Sequence, residues 1–251
     1  MADTGIEWAT KVWNPVLGCE PISEGCAHCY AQKFHNRLRG QGHPHYQREF
    51  GKPYFAPERD WDAPGKWRKP QRVFVCSMAD LFYHQHTRWQ GWHLVCNAAE
   101  EFPQHKFLVL TKRPEWMWTA VKRRGRSPSS NVWLGVTIEN QRTAAERLPL
   151  LQKCKDAGWH TFVSCEPLLE YVTADMVPGG SFDWLIAGPE TGPGKRPCDV
   201  RWLMSLQALC SNRSRPFFLK RNADGSPALP WLQQLPDELI LPWEKRQEGA
   251  E

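Results

Sequence analysis

After residue 70 the chain alternates between short, almost unbroken apolar runs and longer segments compatible with helices. The runs are Arg72–Cys76, Lys106–Leu110, Val132–Val136, Thr161–Cys165, Asp183–Ala187 and Pro216–Lys220. Near-continuous apolar character over four to six residues is the pattern of strands covered on both faces. A seventh run, Lys11–Leu17, contains Pro15 and therefore reads as an edge or irregular strand. Helices are predicted between the runs over 27–38, 88–100, 114–122, 141–157 and 201–210, each fitting one crossover. Repeated right-handed βαβ units close into a barrel or part of one. The expected fold is therefore α/β: a partial (β/α) barrel of six to seven parallel strands, in one domain over 1–251. Residues 40–69, rich in Gly, Pro, His and aromatics without periodicity, read as an irregular insertion after the first helix. The polar stretch 230–251 reads as a peripheral tail.

Composition narrows the function classes. Hydrophobic residues at 41% and charged residues at 24% are the balance of a chain that folds. No apolar run reaches about 18 residues, and the start lacks the basic and apolar regions of a signal peptide. A cytoplasmic protein with no membrane partner is expected. In that compartment the nine cysteines stay reduced, so closely spaced ones point to metal or redox chemistry and not to disulfides. The net charge of +5 does not by itself announce a nucleic-acid binder, because clustering matters more than the sum. Clusters occur at Arg68–Arg72, Lys112-Arg113 and Lys122–Arg126. The 14 tryptophans supply flat rings suited to the core and equally to stacked bases.

The strongest local signal is Gly18-Cys19, then Gly25-Cys26-Ala-His28-Cys29-Tyr30, with cysteine spacings of six and two. Three thiolates hold three irons of a cubane cluster and leave the fourth open to chelate a small molecule. The alternatives are a zinc site completed by His28, His35, His43 or His45, and reduced structural cysteines. These cysteines fall between the first strand and the first helix, at the mouth where a βα barrel gathers its catalytic groups. Later strand ends carry Ser77 and Asp80, Lys112 and Arg113, Thr137 with Glu139 and Asn140, Cys165 and Glu166, Gly188 with Glu190, and Lys220 with Arg221. Lys112 and Arg113 are candidates for a substrate phosphate. A Cys165 thiol facing the cavity would donate a hydrogen atom to a product radical. Glu139 and Glu166 are candidate acid–base groups.

These words, with Ile6-Glu7-Trp8, Trp13-Asn14-Pro15, Ser77-Met78-Ala-Asp80-Leu81-Phe82, Leu110–Pro114, Trp133–Gln141 and Ser164–Leu169, follow one another along residues 6–221. In that order and spacing the chain resembles the phage and prophage radical-SAM-like proteins with a three-cysteine motif. The resemblance implies a radical-SAM-type partial barrel, a [4Fe-4S] cluster on Cys19, Cys26 and Cys29, and S-adenosylmethionine as cosubstrate. It implies a 5′-deoxyadenosyl radical that abstracts hydrogen, and an electron donor to the cluster such as a flavodoxin. Ser77, Asp80, Lys112, Thr137, Glu139, Asn140 and Glu190 are then candidates to bind the cosubstrate. A phage origin, in host cytoplasm, suggests a nucleoside within nucleic acid as substrate, specifically rearrangement or isomerisation of a hypermodified pyrimidine in DNA. A free metabolite or peptide substrate, and a non-catalytic zinc module binding nucleic acid, are the alternatives. Two departures stand out. The usual first spacing is three and an aromatic precedes the last cysteine, where this chain has six and His28. Pro189 replaces a glycine beside Glu190, which keeps the acid.

Overall fold

The apolar runs form a single parallel sheet. In the computed structural model, which describes residues 5–83, 85–125, 127–173, 177 and 180–245 (side chains of 59 and 85–87 excepted), seven strands are joined in it. They are β1 (Lys11–Trp13), β4 (Arg72–Val75), β5 (Lys106–Thr111), β6 (Val132–Thr137), β7 (His160–Cys165), β8 (Trp184–Ala187) and β9 (Phe217–Leu219), in that spatial order. The sheet curls into a half barrel, as the alternation predicts. Five of the six crossovers carry helices: α1 (Tyr30–Gly40), α2 (Gln85–Glu101), α3 (Pro114–Arg124), α4 (Gln141–Asp156) and α5 (Val200–Asn212). Pro15 splits the first run: Val16–Leu17 is a separate strand, β2, that pairs antiparallel with β3 (Tyr54–Phe55) from the insertion. Among the described residues no helix is long and apolar enough to cross a membrane.

The period-two alternation of side chains explains why the runs are apolar throughout. Val73, Val75, Phe107, Val109, Leu134, Val136 and Val163 face the helices, meeting Val95, Met117, Ala120, Leu148, Leu151 and Leu206. Their neighbours Phe74, Leu108, Trp133, Phe162, Trp184, Ile186 and Phe218 fill the concave side. Each such fully buried large side chain contributes roughly 1.5–3 kcal/mol. Gly135 is the exception on the inner face, because a Cβ there would lie 2.4 Å from the Phe162 ring.

Two segments with only short strands and 3-10 turns complete the molecule. The insertion builds a small core of Leu17, Ala31, Phe50, Tyr54, Ala56 and Met78 beneath the cysteine loop. The C-terminal segment, expected to be peripheral, closes the N-terminal end of the barrel, with Leu239 and Leu241 buried. Arg72 holds it there: its Nε donates to the Trp8 carbonyl at 3.0 Å, and its Nη1 donates to the Leu239 carbonyl at 3.1 Å and pairs with Glu244. Residues 246–251 of that tail lie outside the described residues.

Candidate functional site

The cysteine loop crosses the open, C-terminal end of the half barrel, pinned at both ends by glycines. At Gly18 the backbone has φ +85°, and a Cβ would meet the Phe50 carbonyl oxygen at 2.7 Å. That leaves the Cys19 amide free to donate to the same carbonyl at 2.8 Å. At Gly25 a Cβ would meet Glu139 Oε1 at 2.5 Å, so only glycine lets the loop lie against the end of β6. Between them Ser23 Oγ donates to Glu139 Oε1 at 2.7 Å. Cys19, Cys26 and Cys29 are each half-buried free thiols.

The charges around the loop are paired by strand parity. Lys112, Glu139, Glu166, Glu190 and Lys220 all continue the inward-facing register of their strands. Glu139, without solvent exposure, accepts from Lys112, from Ser23 and, at 3.1 Å, from Arg147 Nη1. Burial raises its pKa, but Lys112 and Arg147 outweigh that and hold it below the usual carboxylate range. Asp80 accepts from Thr111 Oγ1 at 2.7 Å, from the Lys112 amide at 3.0 Å and from Arg113 Nη1 at 3.2 Å. Glu166 meets Lys220 Nζ at 3.1 Å. Glu190, gripped by Arg196 and at 2.9 Å from His28 Nδ1, has its pKa lowered to about 2. The His28 contact ties the cysteine loop to the loop after β8. Leu110, half-exposed, lies beneath these groups on the inner face.

Two of the basic groups at the mouth, Arg113 and Lys112, face cysteines. Arg113 Nη1 lies 4.0 Å from Cys19 Sγ, and its Nη2 donates to the Glu20 carbonyl at 2.8 Å. Burial and Asp80 nonetheless push the Cys19 thiol up to about 12. At Cys26 burial acts the same way, but Lys112 and hydrogen bonds from Ile22 and Ser23 bring the thiol below its ordinary value.

Several expected site residues have other employment. Cys165 does not face the cavity: its parity in β7 sends the thiol to the helix layer, fully buried with Cys210, and burial drives its pKa well upward. A hydrogen-atom donor at the mouth cannot be this group. Asn140 caps α4, accepting from the Thr143 amide while Thr143 Oγ1 accepts from the Asn140 amide. Ser77 Oγ donates to Asn14 Oδ1 at 3.2 Å. Thr137 is buried and offers its carbonyl to Arg147. Arg113, proposed for a substrate phosphate, is buried against Asp80, and Lys112 is paired with Glu139. Asp80, Lys112, Glu139, Glu166 and Glu190 do gather around the cysteine loop. Ser23, Arg147 and Arg196 join them without having been singled out from the sequence. Strand parity carries no information on these three, which reach the mouth from a loop, a helix and a second loop.

Cys19, Cys26 and Cys29 bring three thiols on one loop to the mouth, a donor set that suits the one-thiolate-per-iron ligation of a cubane cluster. Among the described residues no three His, Cys, Asp or Glu side chains converge on one metal-ion position. The histidines considered for zinc are also engaged: His28 with Glu190, His35 with the Arg48 carbonyl, and His43 and His45 edge to face with one another. The family model described as "Protein of unknown function (DUF5131)" matches residues 3–229. The chain belongs to that family. The match runs from the segment before β1 through β9, so it takes in the cysteine loop and every strand end of the mouth. No curated protein and no solved structure matches the chain.

Proposed function

We propose that this member of the DUF5131 family is a radical S-adenosylmethionine enzyme whose [4Fe-4S] cluster is held by Cys19, Cys26 and Cys29. The observation that carries this is the delivery of three half-exposed thiols, on one loop, to the open end of a parallel half barrel. When bound, cluster and cosubstrate together supply a one-electron reduction that yields a carbon radical able to take hydrogen from an unreactive position. The chain's own residues prepare the place. Lys112 and Arg113 put positive charge beside thiolates that carry negative charge as ligands. Glu166 and Glu190 present carboxylates of fixed orientation, each held by a cation, for hydroxyl or ammonium groups of the cosubstrate, and Glu139, fully buried, anchors Lys112 and the cysteine loop beside them. The inner aromatic packing fills the concave side beneath Leu110 and the mouth.

Anaerobic reconstitution tests the reading. The wild type should turn brown, bind about four irons and release 5′-deoxyadenosine and methionine from S-adenosylmethionine on reduction. Cys19→Ala, Cys26→Ala and Cys29→Ala should each lose the full cluster and the cleavage, while Cys165→Ala keeps both. A colourless protein holding one zinc, or a cysteine variant with a full cluster and full cleavage, would overturn it.

A further inference from the structure

The mouth has a carboxylate for every buried cation, but the outer face of α2 and α3 does not. Arg88 lies over the Trp116 ring at 3.9 Å and over Trp89 at 5.2 Å. Arg123 covers Trp89 at 4.4 Å, and Lys122 Nζ is 5.9 Å from the Trp118 ring. Of these neighbouring basic groups Arg124 reaches a carboxylate, Glu100. Among the described residues Arg88, Lys122 and Arg123 have no carboxylate partner. Burial and the nearby Arg123 guanidinium both disfavour the charge on Arg88.

Two donors here are also unsatisfied. Arg88, only 7% exposed, has no hydrogen-bond partner for Nε, and neither has the fully buried indole nitrogen of Trp92. Trp92 forms one wall of a cavity of about 210 Å³ that is completed by Trp89, His93, Ala120, Arg123 and Arg124. A pocket for a whole organic ligand runs to roughly 300 Å³ or more, so this one suits a single flat ring.

We propose that the α2–α3 face binds single-stranded nucleic acid, with phosphates on Lys122 and Arg123, backed by Arg88, and unpaired bases on Trp89 and Trp116. A single strand alternates anionic phosphate with flat base, as this face alternates cation with ring. An acidic peptide would use the cations and leave the rings idle. A duplex keeps its bases stacked inward and offers them to no ring. The path leads to the mouth. Arg88 lies in the first turn of α2 and Trp116 in that of α3, and both helices begin at the C-terminal side of their strands. Beyond them Tyr83 stacks under Arg113 at 4.7 Å and donates to Glu20 of the cysteine loop at 2.6 Å. As a statement about the substrate of the radical reaction this rests on the reading above; as a statement about binding it does not.

Fluorescence anisotropy of labelled twelve-nucleotide DNA and RNA strands, titrated with metal-free protein at several salt concentrations, tests it. Wild type should bind at least one of the strands, with affinity falling as salt rises. Lys122→Gln with Arg123→Gln should flatten the log–log salt slope by roughly 0.7 for each charge removed. Trp116→Ala, at an exposed ring, should weaken binding at least about fivefold and leave the slope unchanged. Lys153→Gln, on the exposed side of α4, should change nothing. The variant lacking Cys19, Cys26 and Cys29 should bind as wild type does, so a failed cluster assay leaves this result readable. No binding at low salt, equal affinity for a duplex, equal competition by polyglutamate, or wild-type binding by the α2–α3 variants would each overturn the proposal.

Discussion

Glu139, two residues past the end of β6, has no solvent exposure, and its two oxygens accept from Ser23, Lys112 and Arg147. A carboxylate in that position costs desolvation that only its paired cations offset. Replacing it with Gln keeps the shape but leaves two cations facing a neutral amide. Glu139→Gln should therefore lose about 3–5 kcal/mol of stability, the cost of breaking a buried pair, as read by urea denaturation. The pH dependence follows from the depressed pKa. Stability from Glu139 is fully present above its ordinary value of 4.5 and is lost as pH falls through the lower folded value. The wild type should thus lose more stability than Glu139→Gln when the two are compared from pH 6 down to pH 3. An equal loss in both would show that the ion pairs contribute nothing net.

At the scale of elements, α4 shows how one residue type serves two plausible roles and only one in fact. An Asn followed three residues later by Thr, at the start of a helix, is a capping pattern as well as a polar strand end. The extended backbone of Asn140 (φ −158°) and its reciprocal bonds with Thr143 give it to the helix. Asn140→Ala should cost about 1 kcal/mol and Asn140→Asp much less. The check is thermal melting of the two variants beside wild type; identical melting of all three would remove the capping role. The same logic governs the insertion. Its 3-10 turns at Glu58–Asp60 and Ala63–Lys66 and the β2–β3 pair have little periodicity to announce them. Their value is as the underside of the cysteine loop, through Phe50, Tyr54 and the Cys19–Phe50 hydrogen bond.

At the scale of the molecule, an open half barrel has an exposed lower end to close. Trp8 does so from one side, 4.7 Å from Phe74 between ring centroids, and Leu239 from the other. Leu239→Ala should destabilise the whole chain by about 2–5 kcal/mol, because the hole opens among rigid rings that cannot collapse into it. A surface tail would instead give no change in the denaturation midpoint. Periodicity in the chain was enough for six of the parallel strands, the five crossover helices and the position of the cysteines at their mouth, since burial on both faces and helix length are local properties; Pro15 split the seventh run into the edge strand and a separate antiparallel one. Period-two parity becomes decisive only once the strand ends are fixed in the structure: it then places Lys112, Glu139 and Glu166 inward and turns Cys165, expected from the sequence to face the cavity, into the helix layer. What tertiary structure alone decided was the partnership of groups far apart in the chain. Ser23 and Arg147 meet at Glu139, His28 meets Glu190, and Arg72 meets Glu244. Arg88 stacks on Trp116 beside a neighbour that repels it. Such pairings depend on how the curl of the sheet brings successive loops together, and no pattern within a single segment encodes that curvature.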